Sequence, residues 1–196
     1  MKKLLLALLC SMMVATTFAQ SSYEDSMRLF LKNYIEQHEV VKGDDRKALH
    51  FFEVDPKFRV LASFQKSETA QWFQMPTSGP IKKIYKIYGI LKFKINDSLV
   101  QLNAYQSQDL LQSDEYKNYL FLPFTDATTG RETYESGRYI DLEIKDIKNN
   151  QVVIDFNKAY NPYCAYVSGK YNCPIPPGEN HLAVAIRAGE KSYGKH

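Results

Sequence analysis

Downstream of Pro56 the apolar side chains change period, and this change sets most of what the chain can become. Upstream, Met27, Phe30, Leu31, Tyr34 and Ile35 recur three and four residues apart. That spacing gives one apolar stripe on a helix. Downstream, Phe58, Val60 and Ala62 alternate with Arg59, Leu61 and Ser63, the period of a strand with one buried face. The helical pattern predicts one long helix over 22–41. Ser22 followed by Asp25 is a variant capping box, Glu24 and Asp25 load the first turn with negative charge, and Gly43 is a natural stop.

The period of two then persists. Lys83–Ile95 is strand material interrupted at Gly89, Asn96-Asp97-Ser98 is a turn, and Leu99–Tyr105 is its hairpin partner. Leu120–Phe124, Arg138–Ile144, Val152–Phe156 and Leu182–Ile186 extend the series to about eight short strands, with Asn149-Asn150 as a tight turn. Residues 64–80 contain Pro and Gly and read as a break. One helix and many short strands make a mostly-β fold, an antiparallel barrel-like sheet or a sandwich with one N-terminal helix. Within the 196 residues the expected division is a leader over 1–19, helix and linker over 20–44, and a single β-rich domain over 45–196.

The leader is read from three parts: basic Lys2-Lys3, an apolar stretch from Leu4 to Ala15, and small Thr17 and Ala19 before Gln20. A membrane anchor would need a run of about 20 apolar residues. Lipidation at Cys10 would follow bulky Leu9 where a small residue is expected. The pattern therefore predicts export, to the periplasm or the medium, with no transmembrane segment in the mature chain. Removing Lys2 and Lys3 lowers the formal charge from +3 to +1, so no basic excess points to nucleic acid.

Export also decides how the cysteines are read. With Cys10 in the leader, Cys164 and Cys173 remain, and an even pair in an oxidising compartment is most simply a disulfide. A metal site recruiting His181, or a reactive thiol, is the alternative; the spacing matches no standard zinc pattern. No cofactor is expected. The chain has no Gly-x-Ser-x-Gly elbow, Gly-x-Gly-x-x-Gly turn, Walker loop or His-Glu-x-x-His helix, and His38, His50, His181 and His196 are scattered.

What stands out instead is three dense runs: PFTDATTGRETYESGRY over 123–139, DFNKAYNPYCAY over 155–166 and CPIPPGEN over 173–180. In these runs, and at Ile186–Lys191, the chain resembles the bacterial domain-of-unknown-function family 1684. Tyr85–Gly89 and Phe51–Val60 fit its weaker upstream pattern, so the likeness spans roughly residues 45–192. The resemblance carries no activity with it.

Alternation nevertheless gives the runs some geometry. Val152, Ile154 and Phe156 share one face, leaving Asp155 and Asn157 outward or in a polar lumen. Arg138 begins the core-facing row Ile140, Leu142 and Ile144, so it caps an end or lies buried against Asp126, Glu132 or Asp155. Three readings follow. A polar network could lock long loops to the sheet. A site for a small polar or anionic ligand could form from Asp126, Arg138, Tyr139, Asp155, Asn157, Tyr160 and Asn161. Asp126, Glu132 or Asp155 could instead serve as acid and base in a hydrolase. The functional expectation is a module that binds a small molecule or an envelope component, with a carboxylate-dependent hydrolase or a structural envelope protein as alternatives. Asp126, Arg138, Asp155, Asn157, Tyr160 and Asn161 are expected to converge at one rim of the sheet.

Overall fold

A computed structural model describes residues 22–194 apart from Asn96; the leader expected over 1–19 lies outside the described residues. Helix α1 covers 22–37. It ends earlier than the expected residue 41, and Gly43 is not its stop. The His38 ring terminates it: Nδ1 accepts from the backbone N–H of Val41 at 2.9 Å and of Val40 at 3.2 Å. Those two bonds turn the chain before another helical turn can form. Ser22 is already helical, so it does not act as the cap.

Among the described residues eight strands follow: β1 (Arg59–Lys66), β2 (Phe73–Met75), β3 (Lys83–Ile95), β4 (Ser98–Ser107), β5 (Tyr119–Asp126), β6 (Arg138–Glu143), β7 (Gln151–Asp155) and β8 (His181–Leu182). They form one sheet in the order β6-β5-β4-β3-β1-β7, with β2 added beside β3 and β8 beside β5. All pairs are antiparallel except β5 with β8. The sheet curls strongly into a half-barrel. Its inner face gathers side chains from both edges into one core, Ile140 and Leu142 of β6 together with Val152 and Ile154 of β7. Leu91, Phe93, Leu102, Leu120, Leu122 and Phe124 fill the space between.

Local chemistry explains the curl. At Gly89 the β3–β4 register slips, and a Cβ there would collide with the Phe64 ring and lie 2.8 Å from the Gln65 carbonyl. Only glycine lets the neighbouring strand approach so closely at a bulge. The Asn149-Asn150 turn holds both residues at positive φ, 51° and 58°, the two-residue hairpin geometry expected there.

Two stretches differ from expectation. The break over 64–80 contains β2, whose three residues are too short to show a period. Leu182–Ile186 is not a strand beyond Leu182. The carbonyl of Ile186 is engaged by the Arg138 guanidinium, so that segment finds its hydrogen bonds in a side chain instead of a strand.

Candidate functional site

The expected rim cluster is divided among several networks, of which those of Arg138 and Asn161 meet at Glu190. Arg138 and Asp126 form an ion pair at 2.9 Å, both side chains fully buried. Gly137, at φ 86°, sets Arg138 at the start of β6, where a Cβ on residue 137 would sit 2.6 Å from the Phe124 carbonyl. The guanidinium also donates to the carbonyls of Ile186 (2.8 Å), Ala188 (2.5 Å) and Glu190 (3.2 Å). Asp126 accepts from Thr128 N, Thr128 Oγ1 and Ile186 N at 2.8, 2.6 and 3.1 Å. This network straps the 186–190 segment to the sheet and is sealed from solvent.

Asp155 and Asn157 belong to a second network, below α1. Asp155 accepts from Tyr23 Oη at 3.0 Å, and Asn157 bonds Tyr23 and the backbone of Asp55. Asn161 joins a third. Its N–H donates at 2.8 Å to Glu190, a fully buried carboxylate that also accepts from Tyr166 at 2.7 Å and from Tyr34 at 3.4 Å. Burial pushes the Glu190 carboxyl up to about 7, even though these donors pull the other way.

The remaining two residues, Tyr139 and Tyr160, line an open cleft of about 530 Å³ on the outer face of the sheet. Its floor follows from alternation. In β6, Tyr139 and Asp141 point opposite to Arg138, Ile140 and Leu142; Tyr119 and Phe121 of β5, Tyr105 of β4 and Tyr85 of β3 share that face. The rings interlock edge to face, Phe121 with Tyr139 at 4.7 Å and Tyr139 with Tyr160 at 5.8 Å between centroids. Tyr171, Asn172, Cys173 and Pro174 form one wall. The bonded pair Cys164–Cys173, with Cα atoms 6.3 Å apart, anchors that wall.

Asp141 stands in the cleft, open to solvent. Tyr119 and Tyr160 both donate to its Oδ1, at 2.7 and 2.6 Å, and Oδ2 has no hydrogen-bond partner among the described residues. Although the residue is exposed, desolvation by the rings crowding its carboxyl raises it above the usual carboxylate range, while the two phenols oppose that shift. Tyr119, Tyr139 and Tyr160 are driven well above the ordinary phenol range, chiefly by burial, so their protons stay on. Asp141, Tyr160 and Tyr163 also border a second chamber of about 680 Å³, walled by Phe30, Tyr34 and His38 from the α1 side.

Residues 45–191 match the family described as "Protein of unknown function (DUF1684)". The chain belongs to the DUF1684 family. Among solved structures it is similar to an uncharacterised protein of Haloarcula marismortui, with 30% identity, a TM-score of 0.67, and coverage of 93% of this chain and 99% of that one. None of the curated proteins matches the chain. Every residue lining the tyrosine cleft falls inside the DUF1684 stretch, whereas α1 lies upstream of it.

Sequence reasoning singled out Tyr139 and Tyr160 of this DUF1684 site and passed over Asp141, Tyr119 and Phe121. The missed signal was the second face of each strand. Reading β6 for its core row, Ile140 and Leu142, leaves Asp141, the next residue after Tyr139 on the alternate row, unexamined. Among the described residues no group of His, Cys, Asp and Glu is arranged to hold a metal ion. No helix among them is long and apolar enough to cross a membrane.

Proposed function

We propose that the protein is an exported binding module whose ligand site is the tyrosine-walled cleft over β3–β6. The observation that carries this reading is Asp141: a carboxylate in the aromatic lining of the cleft, with Oδ1 fixed by two phenols and Oδ2 without a hydrogen-bond partner among the described residues. A concave, largely aromatic site with a few aimed polar groups is what small-ligand recognition needs. The carboxylates considered for acid–base work are engaged elsewhere. Asp126 is buried against Arg138, Asp155 is held by Tyr23, and Glu132 is paired with Arg187. Their placement favours binding over hydrolysis.

Native mass spectrometry of protein recovered from its host tests both parts of the proposal. The expected result is a polypeptide beginning near Gln20 that retains a small molecule, and loses it in the Asp141→Asn variant. A full-length or lipidated mass would overturn export. A ligand retained equally by the variant would place the site elsewhere.

A further inference from the structure

Building on the cleft as the binding site, we infer that its ligand is an organic ammonium ion, of the methylated type that carries positive charge without hydrogen-bond donors. The inference rests on where the phenol protons go. Tyr119 and Tyr160 donate to Asp141, Tyr139 donates to the Pro174 carbonyl, and Tyr163 donates to Glu39 at 2.5 Å. Four tyrosines around the cavity have thus spent their donors within the protein. What they offer a ligand is oxygen lone pairs and ring faces, both electron-rich.

An anion or a sugar needs donors, and these four rings have none left to give; the other donor-bearing side chains of the lining, Lys83, Tyr85, Tyr116, Tyr171 and Asn172, make no hydrogen bond to Asp141. A cation needs the reverse, and ring faces attract it through their quadrupole. A primary ammonium would still require several acceptors at close range. A methylated one requires only apolar contact and a nearby negative charge, which the rings and the free Oδ2 of Asp141 supply.

The neighbouring cations do not already fill this role. No basic side chain forms an ion pair with Asp141 among the described residues. Lys145 pairs with Glu143 at 2.8 Å, and Lys158 lies 5.1 Å from the Phe30 ring centroid. Lys83, which also lines the cleft, is far along the sheet. Asp141 sits opposite Phe121, Phe121 opposite Tyr105, and Tyr105 opposite Ile87, four residues from Lys83. Three strand spacings and four residues of rise put the two backbone positions on the order of 15–20 Å apart, and no ion pair joins the two side chains among the described residues.

The test titrates the intact protein with choline and with its uncharged carbon isostere, dimethylbutanol, followed by amide and ring NMR shifts. Acetate and glucose serve as anionic and hydroxylated controls. Choline is expected to shift Tyr139, Asp141 and Tyr160, with affinity at least about tenfold above the isostere, and Asp141→Asn is expected to remove that advantage. Equal affinity for choline and its isostere, or preference for acetate or glucose, would overturn the ammonium assignment and leave the cleft as a binding site. Silence of the cleft toward all four probes would overturn the ammonium assignment and count against the cleft itself.

Discussion

Tyr139 and Tyr160 exchange both of their backbone hydrogen bonds, at 2.9 and 3.0 Å. Tyr139 lies on edge strand β6, and Tyr160 follows the opposite edge strand β7 by five residues. The bridge therefore stitches one end of the half-barrel across its open side. The same pair then lines the cleft, so sheet closure and site geometry share two residues. Replacing Tyr160 by Phe keeps the bridge and removes the 2.6 Å bond to Asp141. The expected outcome is a stability loss of about 1 kcal/mol, as for one ordinary hydrogen bond. The Asp141 carboxyl should titrate at higher pH than in the parent, since a group that favoured its charged form is gone. Carboxyl carbon NMR across an acid titration measures this; an unchanged midpoint would contradict the assigned contact.

Arg138 should act through the fold. Its guanidinium ties Asp126 and the carbonyls of Ile186, Ala188 and Glu190 into one sealed network. Arg138→Ala strands the Asp126 charge in the interior, and urea denaturation is expected to show a loss of about 3–5 kcal/mol. A variant within 1 kcal/mol of the parent, on the order of a surface substitution, would mean the network does not brace the sheet.

How far the sequence leads is clear from β6 and α1. In β6, strict alternation placed Arg138 in the core row with Ile140 and Leu142, and all three are buried. Alternation also put Val152, Ile154 and Phe156 inside, as found. Convergence was harder. Asp126 and Arg138 do pair, but Asp155, Asn161 and Tyr160 each answer to partners far away in sequence: Tyr23, Glu190 and Asp141. A strand period reports which face a residue occupies and not which strand lies beside it. The end of α1 was missed for a related reason: a histidine ring folding back onto Val40 and Val41 leaves no periodic trace.

The disulfide has a definite energetic role. Cys164 and Cys173 are nine positions apart and close a short loop bearing Tyr171 and Asn172 of the cleft wall. Closing a loop of that size stabilises the fold by roughly 2–3 kcal/mol in the chain-entropy model. Cys164→Ser with Cys173→Ser is expected to lose about that amount in denaturant and to broaden the resonances of Tyr171 and Asn172. Stability equal to the parent's would show that the loop is held without the bond.

Glu190 makes stability depend on pH with an unusual sign. Its carboxyl moves from an ordinary 4.5 to about 7 in the folded protein because it is fully buried. Between those values the folded state holds a proton that the unfolded state has released, so folding is favoured by acid. The contribution is complete below about pH 4.5 and disappears as the pH rises through about 7. Its full size is on the order of 3 kcal/mol. Most surface carboxylates act the opposite way or not at all, so the slope is attributable to this group by difference. Glu190→Gln keeps an acceptor for the Asn161 N–H and the Tyr166 hydroxyl but has no proton to lose. Urea unfolding of the parent should therefore weaken from pH 5 toward pH 8, while the variant's curve runs flatter and crosses it near neutrality. Parallel curves for the two proteins over that range would show that Glu190 is not the group being protonated.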